Sequence, residues 1–199
     1  MLIFDGNVTP SPLVNSTTQT NASIQLKNGV ALTLDPIGGG TLTLNGGTGS
    51  DLDVPAGTLL KFEGFNPLVI SLTGPGHQCD VGGQIIMEGS SHKLRGANPG
   101  EITMSGANAF TTQSGFTGNP FGESPNGAVV FQSGSTGTFN AGDDPFGGLN
   151  SVVTFNSGST ARFGATSAFS TSGRTYGNLI LGGNQNYPTL LAGTNNRPE

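Results

Sequence analysis

The chain has 199 residues, enough for one domain or at most two small ones, and its 12 acidic and 7 basic residues leave a net charge of -5. Glycine, threonine, serine and asparagine supply 93 residues while charged types reach only 10%, so disorder driven by charge repulsion is excluded, as is collagen, because the 34 glycines follow no three-residue period. Lysines and arginines are scattered, which excludes a nucleic-acid footprint, and no apolar run approaches the ~18 to 20 residues of a membrane-spanning helix.

Residues 1–22, MLIFDGNVTPSPLVNSTTQTNA, are rich in Asn, Ser, Thr and Pro and predict an irregular lead-in or an N-terminal cap. The opening MLIFDG carries Asp5 and no basic start, so it is not read as a secretion leader. The sequons at Asn7, Asn15 and Asn21 are expected by chance in so Asn/Ser/Thr-rich a chain. Residues 23–183 are a succession of short alternating runs: SIQLK, VALTL, TLTL, DLDV, LLKF, LVISL, QIIM, EITM, AVVF, GTF, SVVTF, ARF and NLIL. Gly, Asn or Ser-Gly separates nearly every pair, the pattern of strands joined by tight turns, and no stretch has the spacing of an amphipathic helix. Residues 184–199 predict an irregular C-terminal segment.

The runs repeat. AVVFQSGSTGTF, from Ala128 to Phe139, realigns with VTFNSGSTARF, from Val153 to Phe163, at an offset of 24. Val129 then matches Val153, Phe131 matches Phe155 and Phe139 matches Phe163, all on the inward parity, while Val130/Thr154 and Thr138/Arg162 fall on the outward one. PFG recurs at Pro120 and Pro145, which puts Phe121, Phe146 and Phe169 about one repeat apart, and GANAFTTQSG from Gly106 echoes GATSAFSTSG from Gly164. A period of about 24 residues with two or three strands predicts one coil of a parallel β-helix, or β-solenoid. Burying three or four large side chains per coil contributes about 5 to 10 kcal/mol, far less than ordering the coil costs, so coils must stack. The expected internal ladder is Phe121, Val129, Phe131, Phe139, Phe146, Val153, Phe155, Phe163 and Phe169, in about eight coils.

GEITMSGANAFTTQSGFTG, Gly100 to Gly118, resembles the autotransporter-associated β-strand repeat of bacterial surface β-helix proteins. GGTLTLNGG from Gly39 and VPAGTLLKF from Val54 resemble the start and end of the same pattern, and GRTYGNLILGG from Gly173 is similar to segments of large surface β-helices. The resemblance covers about a third of the chain. It implies a right-handed parallel β-helix, secreted or at the cell surface, with a passenger, adhesin or fibre role.

Candidate chemistry is sparse. Asp143-Asp144 resembles the paired carboxylates of pectin-hydrolysing β-helices, but adjacent Asp residues before Pro145 read first as a turn, and no His follows them. His77 and His92 are expected at solvent-facing corners, and Cys79, the single cysteine, as a small buried residue. GGTGSDLDV, Gly46 to Val54, nearly reproduces a calcium-binding nonapeptide, with Asp53 where the aliphatic residue belongs. Asp51 and Asp53 are therefore the metal candidates and calcium the one cofactor considered, against a plain Gly-rich turn. Thr41/Thr43 and Thr136/Thr138 suggest an ice-binding face, which Arg162 interrupts. The expected function is a non-catalytic structural or adhesive solenoid that self-associates end to end or binds a surface glycan or protein. The alternative is a carbohydrate-active β-helix, a polysaccharide lyase or hydrolase.

Overall fold

The computed structural model describes residues 1–5, 13–14, 19–46, 49–74, 76–143, 151–164 and 175–182. Among the described residues every regular element is a strand: β1 (Leu2–Asp5), β2 (Leu13–Val14), β3 (Gln19–Asn21), β4 (Ile24–Lys27), β5 (Ala31–Pro36), β6 (Gly40–Leu44), β7 (Gly49–Val54), β8 (Leu59–Phe62), β9 (Leu68–Leu72), β10 (His77–Val81), β11 (Gln84–Met87), β12 (Lys93–Arg95), β13 (Ile102–Met104), β14 (Phe110–Thr112), β15 (Val129–Phe131), β16 (Thr136–Phe139), β17 (Val153–Phe155), β18 (Thr160–Phe163) and β19 (Asn178–Leu181). They form three parallel faces. Face one is β1-β4-β7-β10-β13-β15-β17, face two runs β2-β5-β8-β11-β14-β16-β18-β19, and face three is β3-β6-β9-β12. The chain visits the faces in turn, so it is a parallel β-solenoid, and residues 1–22, expected to be irregular or a cap, contribute β1, β2 and β3 to the stack.

The coils are less uniform than a 24-residue period. Along face one the in-register partners Leu2, Ile24, Leu52, Cys79, Ile102, Val129 and Val153 are 22, 28, 27, 23, 27 and 24 residues apart. The described stack therefore makes about six turns of about 25 residues, not eight, and is about 29 Å long at ~4.8 Å per coil. That count spans Leu2 to Val153, since the whole chain at about 25 residues per coil still divides into about eight, and coil length itself varies with corners such as 113–128.

Away from a bulge in β7 the strands alternate between inward and outward side chains. Leu60 and Phe62 point inward from β8 while Leu59 and Lys61 do not, and Gly137 and Phe139 alternate with Thr136 and Thr138 in β16. Inward residues stack coil on coil, so the interior is aliphatic in the early coils, with Leu26, Leu32, Leu52 and Leu60, and aromatic in the later ones. The pairing of β15 with β17 and of β16 with β18 matches the sequence repeat residue for residue: Val129 on Val153, Phe131 on Phe155, Thr138 on Arg162 and Phe139 on Phe163. Ring centroids of Phe131 and Phe155 lie 4.6 Å apart at 17°, and those of Phe139 and Phe163 5.2 Å apart at 23°. Phe121 packs on Phe110 at 4.7 Å. Phe146 and Phe169 lie outside the described residues, as does the second copy of the longer echo beyond Gly164.

The SGST motif is a corner between faces one and two. Ser135 and Ser159 are buried, and each donates its hydroxyl at 2.7 Å to the carbonyl three residues back, that of Gln132 or Asn156. Gly134 and Gly158 adopt φ of +83° and +81°, left-handed backbone that a side chain would strain. An earlier coil makes the same turn with Thr58, whose hydroxyl donates to Pro55 O at 2.7 Å, and Gly57 at φ +81°.

Candidate functional site

The metal candidates part company. β7 and β10 pair from Gly49/His77 to Val54/Val81, but the register shifts so that Gln78 faces Ser50 and Cys79 faces Leu52, leaving Asp51 as the extra residue of a bulge. The bulge breaks parity, and Asp51 and Leu52 are both buried. Asp51 Oδ2 meets Nδ1 of His77 inside the solenoid, where both are under 10% exposed. Asp53 is on the outside, in register with Asp80 and Gln25. Partial burial raises its carboxyl above the usual value, and the like charge of Asp80 adds to this against an opposing pull from Lys27. The bulge thus sends the two aspartates to opposite sides of the strand, and among the described residues no three His, Cys, Asp or Glu side chains converge as a metal site.

The expectation for the histidines is corrected. His77 is 7% exposed at the start of β10, where it meets the Asp51 side chain, and His92 is fully buried at a corner whose backbone groups need partners. His92 Nδ1 accepts from Leu68 N–H at 3.1 Å and Nε2 lies 2.9 Å from Glu88 O, which together require the neutral Nε2–H tautomer. Burial lowers the His92 titration point, against weaker opposing effects of the Glu88 carbonyl and Asp35. Glu101 is likewise buried and accepts from Ala97 N–H at 2.5 Å and from Asn98 Nδ2. Cys79 is buried on the inward side of β10, which pushes its thiol well above the ordinary range. Asp143 is exposed at a bend, its N–H donating to Gly118 O at 2.8 Å, and Asp144 lies outside the described residues.

A second group of charges lies on the outside of face three. Alternation in β12 puts Lys93 and Arg95 on the outward side, in register with Val69 and Ser71 of β9. One coil on, where among the described residues face three has no further strand, a turn carries Glu123 under both cations: Lys93 Nζ reaches Oε1 and Arg95 Nη1 donates to Oε2 at 2.8 Å. Those two contacts, Lys93 first, hold the Glu123 carboxyl below its usual value although the side chain is 58% exposed. Arg95 Nε also donates to Ser71 Oγ at 3.1 Å. Beside this cluster a groove of about 480 Å³ runs between residues 71–74, 95–97 and 123–125. Its chemistry is that of hydroxyls, a guanidinium and a carboxylate, suited to hydrogen-bonded recognition of a polar ligand.

None of Lys93, Arg95 and Glu123 stands out by motif. The available signal was two cations two residues apart in a charge-poor chain, with an acid 28 to 30 residues later, one long coil away. The Asp51–His77 pair carries the same signature at 26 residues. No family model, no curated protein and no solved structure matches this chain.

Proposed function

We propose that the chain is an extracellular structural or adhesive solenoid of a cell surface or fibre, without a catalytic centre. The supporting observation is where its buried ionisable groups point. Asp51 pairs with His77, His92 bridges Leu68 and Glu88, and Glu101 holds the 97–98 corner, so each is engaged in closing the coil rather than facing a bound substrate. A rod whose polar chemistry is directed inward offers its outer faces as recognition or packing surfaces. Immunolabelling of intact cells of the source organism, before and after external protease, tests the reading: protease-sensitive label on unpermeabilised cells is expected, and label that appears only after permeabilisation overturns it.

The carbohydrate-active alternative has one observation in its favour, the in-register carboxylates of Asp53 and Asp80 on the outside of face one, one of them with a raised titration point. Incubation with acidic and neutral polysaccharides, followed by assay of new reducing ends and of unsaturated products, separates the two readings. Cleavage that disappears in Asp53→Asn would replace the non-catalytic proposal with the enzymatic one.

A further inference from the structure

The groove beside Arg95 is built in advance of any ligand. Its wall is fixed by side-chain hydrogen bonds: Gly96 N–H donates to Ser124 Oγ at 3.1 Å, Asn98 Nδ2 to Gly74 O at 3.1 Å, and Ala97 N–H to buried Glu101. Its floor is Arg95, held by Ser71, which is 1% exposed. Ser71 and Glu123 take one donor each of the five that a guanidinium carries.

Glu123 is the solvent-facing member of this set. It is the most exposed of the three charged groups, its backbone is held at φ +71°, a left-handed conformation that residues other than glycine adopt rarely, and its carboxylate bridges Lys93 and Arg95. On the outside Lys93 and Arg95 face the single carboxylate of Glu123, while the buried carboxylate of Glu101 behind the wall is taken up by Ala97 N–H and Asn98 Nδ2. A carboxylate on the protein itself thus occupies the place where a carboxylate of a guest would be bound. The rest of the lining selects the guest's class. Thr73 and Ser124 offer hydroxyls, the N–H groups of Gly96 and Ala97 are already engaged by Ser124 and Glu101, and the apolar contribution is limited to Pro125 and to Leu72, which is 1% exposed. A volume of about 480 Å³ exceeds what a simple ion fills and falls within the ~300 to 1,000 Å³ usual for small organic ligands.

We propose that this groove binds an acidic saccharide, a hexuronate whose carboxylate replaces that of Glu123 on Arg95 while its ring hydroxyls meet Thr73 and Ser124. This rests on the adhesive side of the function proposed above and names the class of ligand. Charge-assisted contact with the guanidinium supplies the specificity, and Glu123 acts as an internal competitor that the guest must displace.

Calorimetric titration of the chain with a hyaluronan tetrasaccharide at low salt tests this, with chitotetraose as neutral control and sodium acetate as free-carboxylate control. The acidic tetrasaccharide is expected to bind, and the neutral one and acetate at least about tenfold more weakly. Glu123→Gln should tighten binding about threefold to fivefold by removing the competitor, and Arg95→Lys, which keeps the charge but loses the fork, should weaken it about tenfold. Amide shifts of the unaltered chain on titration should centre on Gly74, Gly96 and Ala97, a readout independent of how the variants fold. Equal binding of acidic and neutral tetrasaccharides, weaker binding by Glu123→Gln, shifts centred elsewhere, or acetate binding as tightly as the tetrasaccharide would each overturn the groove assignment. Surface labelling of cells would be unaffected by that failure, so the two proposals fall separately.

Discussion

Replacing Phe155 by alanine removes a ring that is 4% exposed, lies 4.6 Å from Phe131 and 5.7 Å from Tyr176, and sits on the inward side of the last strand of face one. Truncation of a buried phenylalanine costs about 3 to 5 kcal/mol, from lost transfer energy and the void left behind, and the stacked geometry places it toward the upper part of that range. Thr154, its neighbour in sequence, is exposed on the outward side, so Thr154→Ser should cost under about 0.5 kcal/mol. Because a solenoid couples each coil mainly to its neighbours, Phe131→Ala and Phe155→Ala should not add: removing one ring already disrupts the stack, and the double variant should fall short of the sum by about 0.5 to 3 kcal/mol. Urea unfolding followed by circular dichroism, with the slope checked for constancy across the set, reads all four. Equal losses at positions 154 and 155, or strict additivity of the two phenylalanine truncations, would refute the inward stacking on which the coil rests.

Asp51→Asn alters a buried hydrogen bond with His77 and should destabilise by about 1 to 3 kcal/mol in thermal or urea unfolding, whereas a surface role for Asp51 predicts almost no change. Asp80→Asn removes a like charge directly beside Asp53 on the adjacent strand and should stabilise by about 0.2 to 1 kcal/mol at neutral pH, measured the same way. A chelator should shift the melting temperature by less than about 2 °C, since Asp51 and Asp53 point to opposite sides of β7, and a larger fall would restore the calcium reading. Stability should also decline in mild acid. His92 in the folded chain titrates below its ordinary 6.5, so from about pH 6.5 downward the unfolded chain takes up a proton that the fold resists, and stability falls until the lower folded value is passed. Urea midpoints between pH 8 and 5 should show that decline in the natural chain and a smaller one in His92→Gln.

The strands with plain alternation were legible in the sequence. SIQLK, VALTL, LLKF, LVISL and QIIM each coincide with a strand, because in a coil whose neighbours supply every main-chain partner, the inward parity of two or three apolar residues suffices to fix register. The repeat fixed more than strands, since the alignment of Phe131 on Phe155 is also the spatial pairing. What escaped was the polar minority. HQCDV, which forms β10, has no aliphatic residue before Val81 and places His77 and Cys79 inward, and KLR in β12 is three residues long with two of them charged. The spread of coil lengths escaped for a related reason: corners such as 63–67 and 113–128 carry no parity, so a period taken from the two most similar coils, 24, lies near the mean but does not show the range from 22 to 28. Of the site, Asp51 was picked out together with Asp53 by the Gly46–Val54 nonapeptide, and their separation escaped because a bulge has no signature in alternation until the partner strand is known.

The distribution of polar groups over the coil has a physical cause that bears on where to look for function. Along the faces the ladder N–H and C=O groups find partners one coil away, so an inward polar side chain there needs another side chain as its partner, as Asp51 and His77 are for each other. At corners the ladder is interrupted and backbone groups are left over, and a buried imidazole or carboxylate supplies what the next coil does not: Leu68 N–H, Glu88 O and Ala97 N–H are all satisfied in this way. His92 and Glu101 are therefore consumed by closure, however catalytic their residue types look in sequence. Lys93, Arg95 and Glu123 differ because they engage mainly each other, on the outside, where among the described residues face three has no further strand and a turn takes over. Contacts of that kind can be exchanged for contacts with a ligand without opening the coil, which makes the interrupted face, rather than either continuous one, the part of this solenoid on which recognition can be varied at least cost to the fold.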